Sequence, residues 1–438
     1  MGRKRQTREL FVAMNGRLVG TLARASNGIL RFQYDQSWLD DTEATPISLS
    51  LPLSADPHAG DTISSFFDNL LPDHETIRKR MQVALGAPST QVFDLLASAG
   101  ADCVGALQLF SAARMPNVRI VKATPVSHAE IAAILRDYRS NPLGMTPKKD
   151  GFRISIAGAQ EKTAFLWYQD RWQRPQGPTP TTHVFKLPIG HIQEHGLDLA
   201  DSVENEWLCL RLASAFGFRV PHAEIRRFDD VKVLVVERFD RIWSKDGRWI
   251  VRVPQEDACQ ALGRSPAVKY EADGGPGVTE IMDLLLQSAD SQADRREFLR
   301  ANVFFWLLAA IDGHAKNFSL FLYPRGLCAL APLYDIVSAH PLVARKNLHA
   351  SKLRMAMSVR GTRGRQYAWE RIERRHWLAT AKEARFSARE AEGLLEELAS
   401  KVDDAVSDVA RSLPEEFPEE VSGPVFEGVT KAGRRLTT

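Results

Sequence analysis

The stretch DGHAKNF, Asp312-Gly313-His314-Ala315-Lys316-Asn317-Phe318, stands between an apolar helical run over residues 297–312 and the strand-like SLFLY of residues 319–323. A carboxylate followed five positions later by an asparagine, in a loop entered from an apolar helix, is what phosphoryl transfer requires. Asp312 would orient or deprotonate an attacking hydroxyl, and the side-chain oxygen of Asn317 would ligate Mg2+. The same residue types also make helix caps and Asx turns, so the five-residue coincidence does not stand alone. Asp335, in PLYDIVSA, lies 18 residues beyond Asn317 and follows the strand, where a second carboxylate could meet the same cation.

The spacing equals the D-x-x-x-x-N of the protein-kinase catalytic loop, and Asp335 would take the part of the aspartate in D-F-G, although Asp-Ile-Val stands here. Toward the N-terminus, Lys186 sits in the apolar strand HVFKLP, where an unpartnered ammonium is expensive to bury. Contact with nucleotide phosphates is the functional reading, and snorkelling the plain one. Glu206, twenty residues on in the next helix, is placed to steady that lysine, with Glu204 as its rival. SIAGAQEKT, residues 155–163, is no Walker A loop, because Glu161 stands where glycine should precede the lysine. Its small residues can still aim backbone amides at phosphates, and an ordinary hairpin is the alternative. In VVERFDR, a strand end, backbone groups could read an adenine edge and Phe239 could cover the ring. A strand end with charges outside fits equally well.

Hydrophobic and turn patterns divide the chain into three parts. Residues 1–120 read as mixed α/β, with hairpin turns at Asn15-Gly16 and Asn27-Gly28, where both residue types tolerate positive φ. Helices are expected in SSFFDNLLPD, TIRKRMQVALG and VFDLLASAG, the last closed by Gly100. Residues 121–253 read as short strands with a helix through VENEWLCLRLASAFG that stops at Gly217, followed by strands meeting at Asp229-Asp230. Residues 254–438 read as mostly helical, including a polar helix over residues 387–413.

The 438 residues are 44% hydrophobic and 25% charged, which excludes disordered, collagen-like and disulfide-dense classes. A net charge of +3 supplies no whole-molecule field for nucleic acid or membrane. One local exception is the run containing Arg360, Arg363, Arg365, Arg371, Arg374, Arg375, Lys382 and Arg385, opposed by three glutamates. It reads either as a solvated face or as a surface for phosphates. Cys103, Cys209, Cys259 and Cys328 have no C-x-x-C spacing and are expected as buried free thiols in a reducing cytoplasm. No apolar run approaches the length of a bilayer crossing, so no membrane association is expected.

FRISIAGAQEKTAFL, TPTTHVFKLPIG, SVENEWLCLRLA, VERFDR, VPQEDACQALG, KYEADGGPG, DGHAKNFS and PLYDIVSA occur in the order found in HipA-type serine/threonine kinases, and the chain resembles that family. PISLSLPL, FFDNLLPD and FDLLASAGADCVGALQL resemble its N-terminal coupling region. The resemblance implies an α+β, protein-kinase-like two-lobed fold with an N-terminal α/β extension and a mostly helical C-terminal lobe. It implies ATP and Mg2+ as cofactors, Asp312 as the catalytic aspartate, and Asn317 and Asp335 as metal ligands. Lys186 would contact phosphates, Glu237 and Phe239 would mark the adenine hinge, and Ala157, Gly158, Ala159 and Gln160 would form the phosphate loop. His314 or Lys316 would neutralise the γ-phosphate, and Ser155 would be autophosphorylated, silencing the enzyme.

The family's partners are a helix-turn-helix antitoxin dimer, operator DNA reached through that antitoxin, and a translation protein substrate, glutamate-tRNA ligase. Lys382 and Arg385 then become candidate DNA contacts. Two other readings stand beside this one. One is a catalytically silent co-repressor acting only through antitoxin and DNA, and the other is a small-molecule kinase.

Overall fold

Asn15 and Gly16 adopt φ of 50° and 81°, the left-handed pair that a two-residue hairpin needs, and they join strands Glu9–Met14 and Arg17–Arg24. The Asn15 side chain also donates to Arg252 O at 2.8 Å and accepts from Arg252 N at 2.9 Å, so one asparagine sets both a turn and a long-range contact. The computed structural model describes residues 8–111, 115, 117–140, 160, 162–192 and 197–437. These form two compact units. The first comprises the described residues up to Leu187, with Arg226–Ala267 and Phe321–Leu327; the second comprises Pro188–Ile225, Val268–Leu320 and the described residues from Cys328.

In the first unit, a five-stranded antiparallel sheet runs in the order His58–Ala59, Leu30–Tyr34, Arg17–Arg24, Glu9–Met14, Leu107–Phe110. Leu10, Val12, Leu22 and Phe32 share a core with Phe66 and Phe67 of helix Asp61–Asp68 and with Phe93 and Leu96 of helix Val92–Ala99. The helix Glu75–Leu85 ends on Gly86 at φ 62°, a left-handed cap open to glycine. A second sheet orders Ala223–Phe228, Val231–Glu237, His183–Lys186, Lys162–Tyr168, Arg171–Pro175 and Ala123–Pro125. Helix His128–Ser140 covers it through Ile131, Ala132 and Leu135, which meet Phe165, Trp172, Phe185 and Phe228.

The PISLSLPL segment is held by hydrogen bonds in place of strand pairing. Tyr34 Oη donates to Leu51 O at 2.6 Å and accepts from Ile47 N at 2.9 Å. Leu49 N donates to Glu256 Oε1 at 2.8 Å, and Ser48 Oγ lies 2.5 Å from Glu256 Oε2. Burial pushes the Glu256 carboxyl from the ordinary 4.5 up to about 8, against the pull of the Leu49 and Ser48 contacts. The folded state therefore holds a proton that the unfolded chain releases, so this group subtracts stability as pH rises from about 4.5 to about 8. Glu256→Gln is expected to abolish that decline, checked by urea unfolding of both proteins at pH 5, 7 and 9 (about two units apart). An unchanged pH slope would show that the carboxyl ionises freely.

In the second unit, helix Ser291–Leu307 packs against Val278–Leu284, Ala388–Arg411 and Glu419–Arg434, and its Trp306 ring meets Trp377 of Arg374–Glu383 edge-on. From Phe298 to Leu307 every residue of the central helix is buried, which a helix apolar on all sides requires. Arg300 is buried with it, its guanidinium 4.0 Å from the Phe218 ring centroid and donating to Phe216 O. The apolar helix expected over residues 297–312 thus begins earlier, with Asp290 capping Ala293 N, and ends earlier because Ala309 turns left-handed at φ 47°.

Strands Arg354–Gly361 and Gly364–Ala368 form a hairpin inside the part read as mostly helical, whereas helix Glu419–Arg434 agrees with that reading although its glycines and Pro424 oppose helix formation. The α+β class holds. All four cysteines are buried and free, and burial pushes the Cys103 thiol up to about 12.

Candidate active site

Helix Ser291–Leu307 delivers the chain into the loop that carries Asp312. A Cβ on Gly313 would lie 2.5 Å from Phe305 Cδ1, so the loop passes that ring only because residue 313 is glycine. His314 N donates to Asp312 O at 2.8 Å and Asn317 N to His314 O at 2.9 Å, winding a short turn, Ala315–Asn317. Asp312 is exposed, whereas His314, Lys316 and Asn317 are buried. The Tyr270 hydroxyl donates to Asp312 Oδ1.

Asn317 Nδ2 donates to the backbone oxygen of Asp335 at 3.1 Å. Tyr334 Oη donates to Lys316 O at 2.8 Å and shares a 2.6 Å hydrogen bond with Ser319 Oγ. Residues 334–335 are thereby fastened onto 316–319, and Asn317 touches the backbone of Asp335 although 18 residues separate them. Asp335 adopts φ 59°, a left-handed backbone that aspartate enters more readily than most non-glycine residues.

These ligands suit Mg2+. Were the ion bound there, Asn317 would offer its side-chain oxygen, since its amide nitrogen donates to Asp335 O, and Asp335 would offer a carboxylate, both hard oxygen donors. Among the described residues no group of three or more His, Cys, Asp or Glu forms a metal cage.

Lys186, Glu237, Phe239 and Gln160 lie in the first unit. Lys186 is buried at 7% exposure in strand His183–Lys186, between Lys162 and Leu234 in register. Glu237 is exposed at the end of Val231–Glu237, opposite His183, and the half-buried Phe239 ring meets Phe321 edge-on at 5.8 Å. Gln160 Nε2 donates to Leu187 O at 2.7 Å. Ser155, Ala157, Gly158 and Ala159 lie outside the described residues. Glu204 and Glu206 are both buried on helix Ser202–Ala215 in the second unit.

The other half of VERFDR has a role that sequence reading missed. The strand ends at Glu237 and the chain turns, Arg241 N donating to Arg238 O at 3.3 Å, with Arg238 and Asp240 buried and Glu237 exposed. Arg238, Asp240, Arg241 and Arg252 join Asp102 in one buried ionic cluster. Asp102 lies 2.9 Å from Arg241, 3.3 Å from Arg252 and 3.5 Å from Arg238, and Asp240 lies 2.8 Å from Arg238 and 2.9 Å from Arg241. No local sequence signal points to the partner at Asp102.

The basic run is largely spoken for by ion pairs. Arg365 meets Glu383 at 2.9 Å, Arg375 meets Glu373 at 2.9 Å, Arg374 meets Glu396 at 3.3 Å, and Arg385 meets Asp283 at 2.7 Å. Lys382 is exposed in the last turn of Arg374–Glu383. No helix among the described residues is long and apolar enough to cross a membrane.

The two sheets, the buried central helix and the loop joining Asp312, Asn317 and Asp335 define an α+β protein of the fold seen in HipA. A solved HipA, from the Shewanella oneidensis MR-1 toxin-antitoxin system in complex with HipB and its operator DNA, superposes with a TM-score of 0.80 at 22% identity, covering 97% of each chain. Residues 10–110 match the HipA N-terminal domain and residues 154–406 the HipA-like C-terminal domain, and the chain belongs to the HipA family. Y4mE of Sinorhizobium fredii, provisionally named a kinase, is 35% identical over 384 residues, 86% of each chain. The serine/threonine-protein kinase toxin HipA of Shewanella oneidensis is 27% identical over 346 residues, 76% of each chain.

Proposed function

We propose that this chain is an ATP-dependent serine/threonine-protein kinase toxin. The observation that carries the reading is the hydrogen bond from Asn317 to the Asp335 backbone, which joins two residues that carry oxygen donors in the unit that holds Asp312. Kinase relatives at 35% and 27% identity support it.

When bound at Asn317 and Asp335, Mg2+ supplies charge neutralisation at the nucleotide phosphates. Asp312 aligns the substrate hydroxyl and takes its proton as that oxygen bonds the γ-phosphorus and the bond to the ADP oxygen breaks. Lys186 contacts the phosphates, and His314 or Lys316 offsets γ-phosphate charge. Glu237 and Phe239 hold the adenine, and Ala157, Gly158, Ala159 and Gln160 cradle phosphate through backbone amides. With little covalent work for the protein to do, positioning and electrostatics account for most of the rate.

Within the same reading, Ser155 is an autophosphorylation site and the external substrate is a translation protein, glutamate-tRNA ligase. A helix-turn-helix antitoxin dimer is the partner, operator DNA is reached through it, and the protein works in the cytoplasm. Of the two candidate DNA contacts, Lys382 is the better placed, since Arg385 is engaged by Asp283.

The test is incubation of the purified chain with γ-labelled ATP and Mg2+, with and without glutamate-tRNA ligase, followed by phosphopeptide mass spectrometry. Label on Ser155 that is lost with EDTA or in Ser155→Ala is expected. Mg·ATP should also stabilise the fold by about 2.7 kcal/mol at a hundredfold excess over Kd. Neither label nor stabilisation would leave the silent co-repressor reading in its place.

A further inference from the structure

The loop KYEADGGPG, residues 269–277, is wound tightly beside Asp312. Gly275 N donates to Tyr270 O at 2.9 Å, and a Cβ on Gly275 would lie 1.9 Å from Val268 O. A Cβ on Gly277 would come within 2.6 Å of the Glu271 carboxylate. The glycines therefore serve close approach, and they bring Tyr270 and Glu271 to defined positions. Glu271 is anchored in turn, because it accepts from Ser358 N and, at 2.8 Å, from Ser358 Oγ, and Arg365 Nε lies 3.6 Å from it.

Tyr270 points the other way, toward the catalytic loop. Its hydroxyl donates to Asp312 Oδ1, and its ring meets His314 edge-on with centroids 5.0 Å apart. The Lys269 ammonium lies 5.6 Å from the Tyr270 ring centroid, and Lys269 O accepts from Ala315 N at 3.3 Å. Asp312 is exposed and immediately precedes the glycine-dependent turn, so its own loop leaves the carboxylate open to solvent.

We infer that Tyr270 is a positioning residue for phosphoryl transfer: its hydroxyl holds one oxygen of Asp312 so that the other faces the substrate hydroxyl, and the Arg354–Ala368 hairpin sets the tyrosine through Glu271. This rests on the reading of Asp312 as the catalytic aspartate. A carboxylate fixed through one oxygen reaches its acceptor geometry without a rotamer search, and small misplacements of such a group cost rate steeply. The hairpin that the sequence reading placed in a helical, basic region thereby acquires a part in the site, since Arg365 and Ser358 both belong to it.

The experiment compares the full chain with Tyr270→Phe and Asp312→Asn, measuring kcat and KM for ATP, melting temperature, and the rise in melting temperature with Mg·ATP. Tyr270→Phe keeps the ring against His314 and removes only the hydroxyl. It is expected to lower kcat by roughly 10- to 100-fold with KM for ATP and both melting readouts unchanged. A kcat within about twofold of the parent overturns the inference, as does a loss confined to KM. Loss of the fold or of the Mg·ATP response would show a packing residue and overturns it as well. Transfer surviving in Asp312→Asn would instead defeat the underlying reading, a result the tyrosine variant cannot mimic.

Discussion

Asp312→Asn is expected to lower phosphate transfer to Ser155 and to external substrate by about 10²- to 10⁴-fold, the range seen when a positioned general base is removed. The variant isolates charge from shape. Asparagine keeps the oxygen that accepts from the Tyr270 hydroxyl, and the backbone bond from His314 N to residue 312 O, at 2.8 Å, does not involve the side chain. Because the Asp312 side chain is exposed, exchanging it for an amide leaves no buried group unpaired, and the melting temperature should stay put. Steady-state incorporation of labelled phosphate together with a thermal melt checks both halves. Activity near that of the parent would remove Asp312 from the chemistry, whatever the rest of the site does.

Asp102→Ala should destabilise the protein by about 3–5 kcal/mol, the cost of removing one partner from a buried ionic cluster. Asp102 is 3% exposed, and three guanidiniums converge on it. Two carboxylates and three guanidiniums already leave one positive charge in excess, and deleting Asp102 would leave Arg252 and Arg241 facing each other with Asp240 as the remaining anion. Thr181 would also lose the acceptor for its N–H, at 3.0 Å, and its hydroxyl, at 2.8 Å. Urea unfolding of the full chain, followed by tryptophan fluorescence, measures the loss. A change below about 1 kcal/mol would mean that water or a rearranged side chain replaces the carboxylate.

The same cluster sets a pH dependence. Burial alone would raise the Asp102 carboxyl, but Arg241, Arg238 and Arg252 outweigh it and hold the group well below the usual carboxylate range; Asp240 is lowered likewise by Arg238 and Arg241. A lowered acid contributes stability above its unfolded value and loses it as pH falls through its folded value. The cluster should therefore persist through mild acid and fail only below the ordinary carboxylate range. It ties the N-terminal family domain, through Asp102, Cys103 and Gly105, to the strand end of VERFDR. Gly105 N donates to Asp240 at 2.8 Å, and Cys103 O accepts from Arg238 at 3.0 Å and from Arg241 at 2.7 Å.

What sequence reading recovered were features whose causes are local. The Asn15-Gly16 turn, the helix end at Gly217 and the turn at Asp229 use positive φ, which Gly, Asn and Asp tolerate best, while Gly100 ends its helix at φ −70° where a Cβ would lie 2.6 Å from Leu96 O. The DGHAKNF loop was recognisable because Asp and Asn at fixed spacing carry chemistry. Helix Glu419–Arg434, within the part read as mostly helical, has no such local cause. Its Gly423, Pro424, Gly428 and Gly433 oppose helix formation in isolation, yet a Cβ on Gly428 would lie 2.4 Å from the His340 ring and one on Gly433 2.7 Å from Val402. Packing at those two glycines, against residues 88 and 31 positions away, outweighs their propensity.

The basic run reads in sequence as either a solvated face or a surface for phosphates, and Glu271, Glu383 and Asp283 lie against its Arg365 and Arg385. By itself, the sequence determined the α+β class, the turns, the helix ends and the residue types of the candidate site, because each follows from backbone tolerance or from chemistry at short spacing. Only the tertiary structure decided which side chains meet. Asn317 reaches the Asp335 backbone, Tyr270 reaches Asp312 across 42 residues, and Asp102 collects arginines more than 130 residues away. Such pairings come from burial and from the need to satisfy every charge taken out of water, and neither is written in the order of the residues.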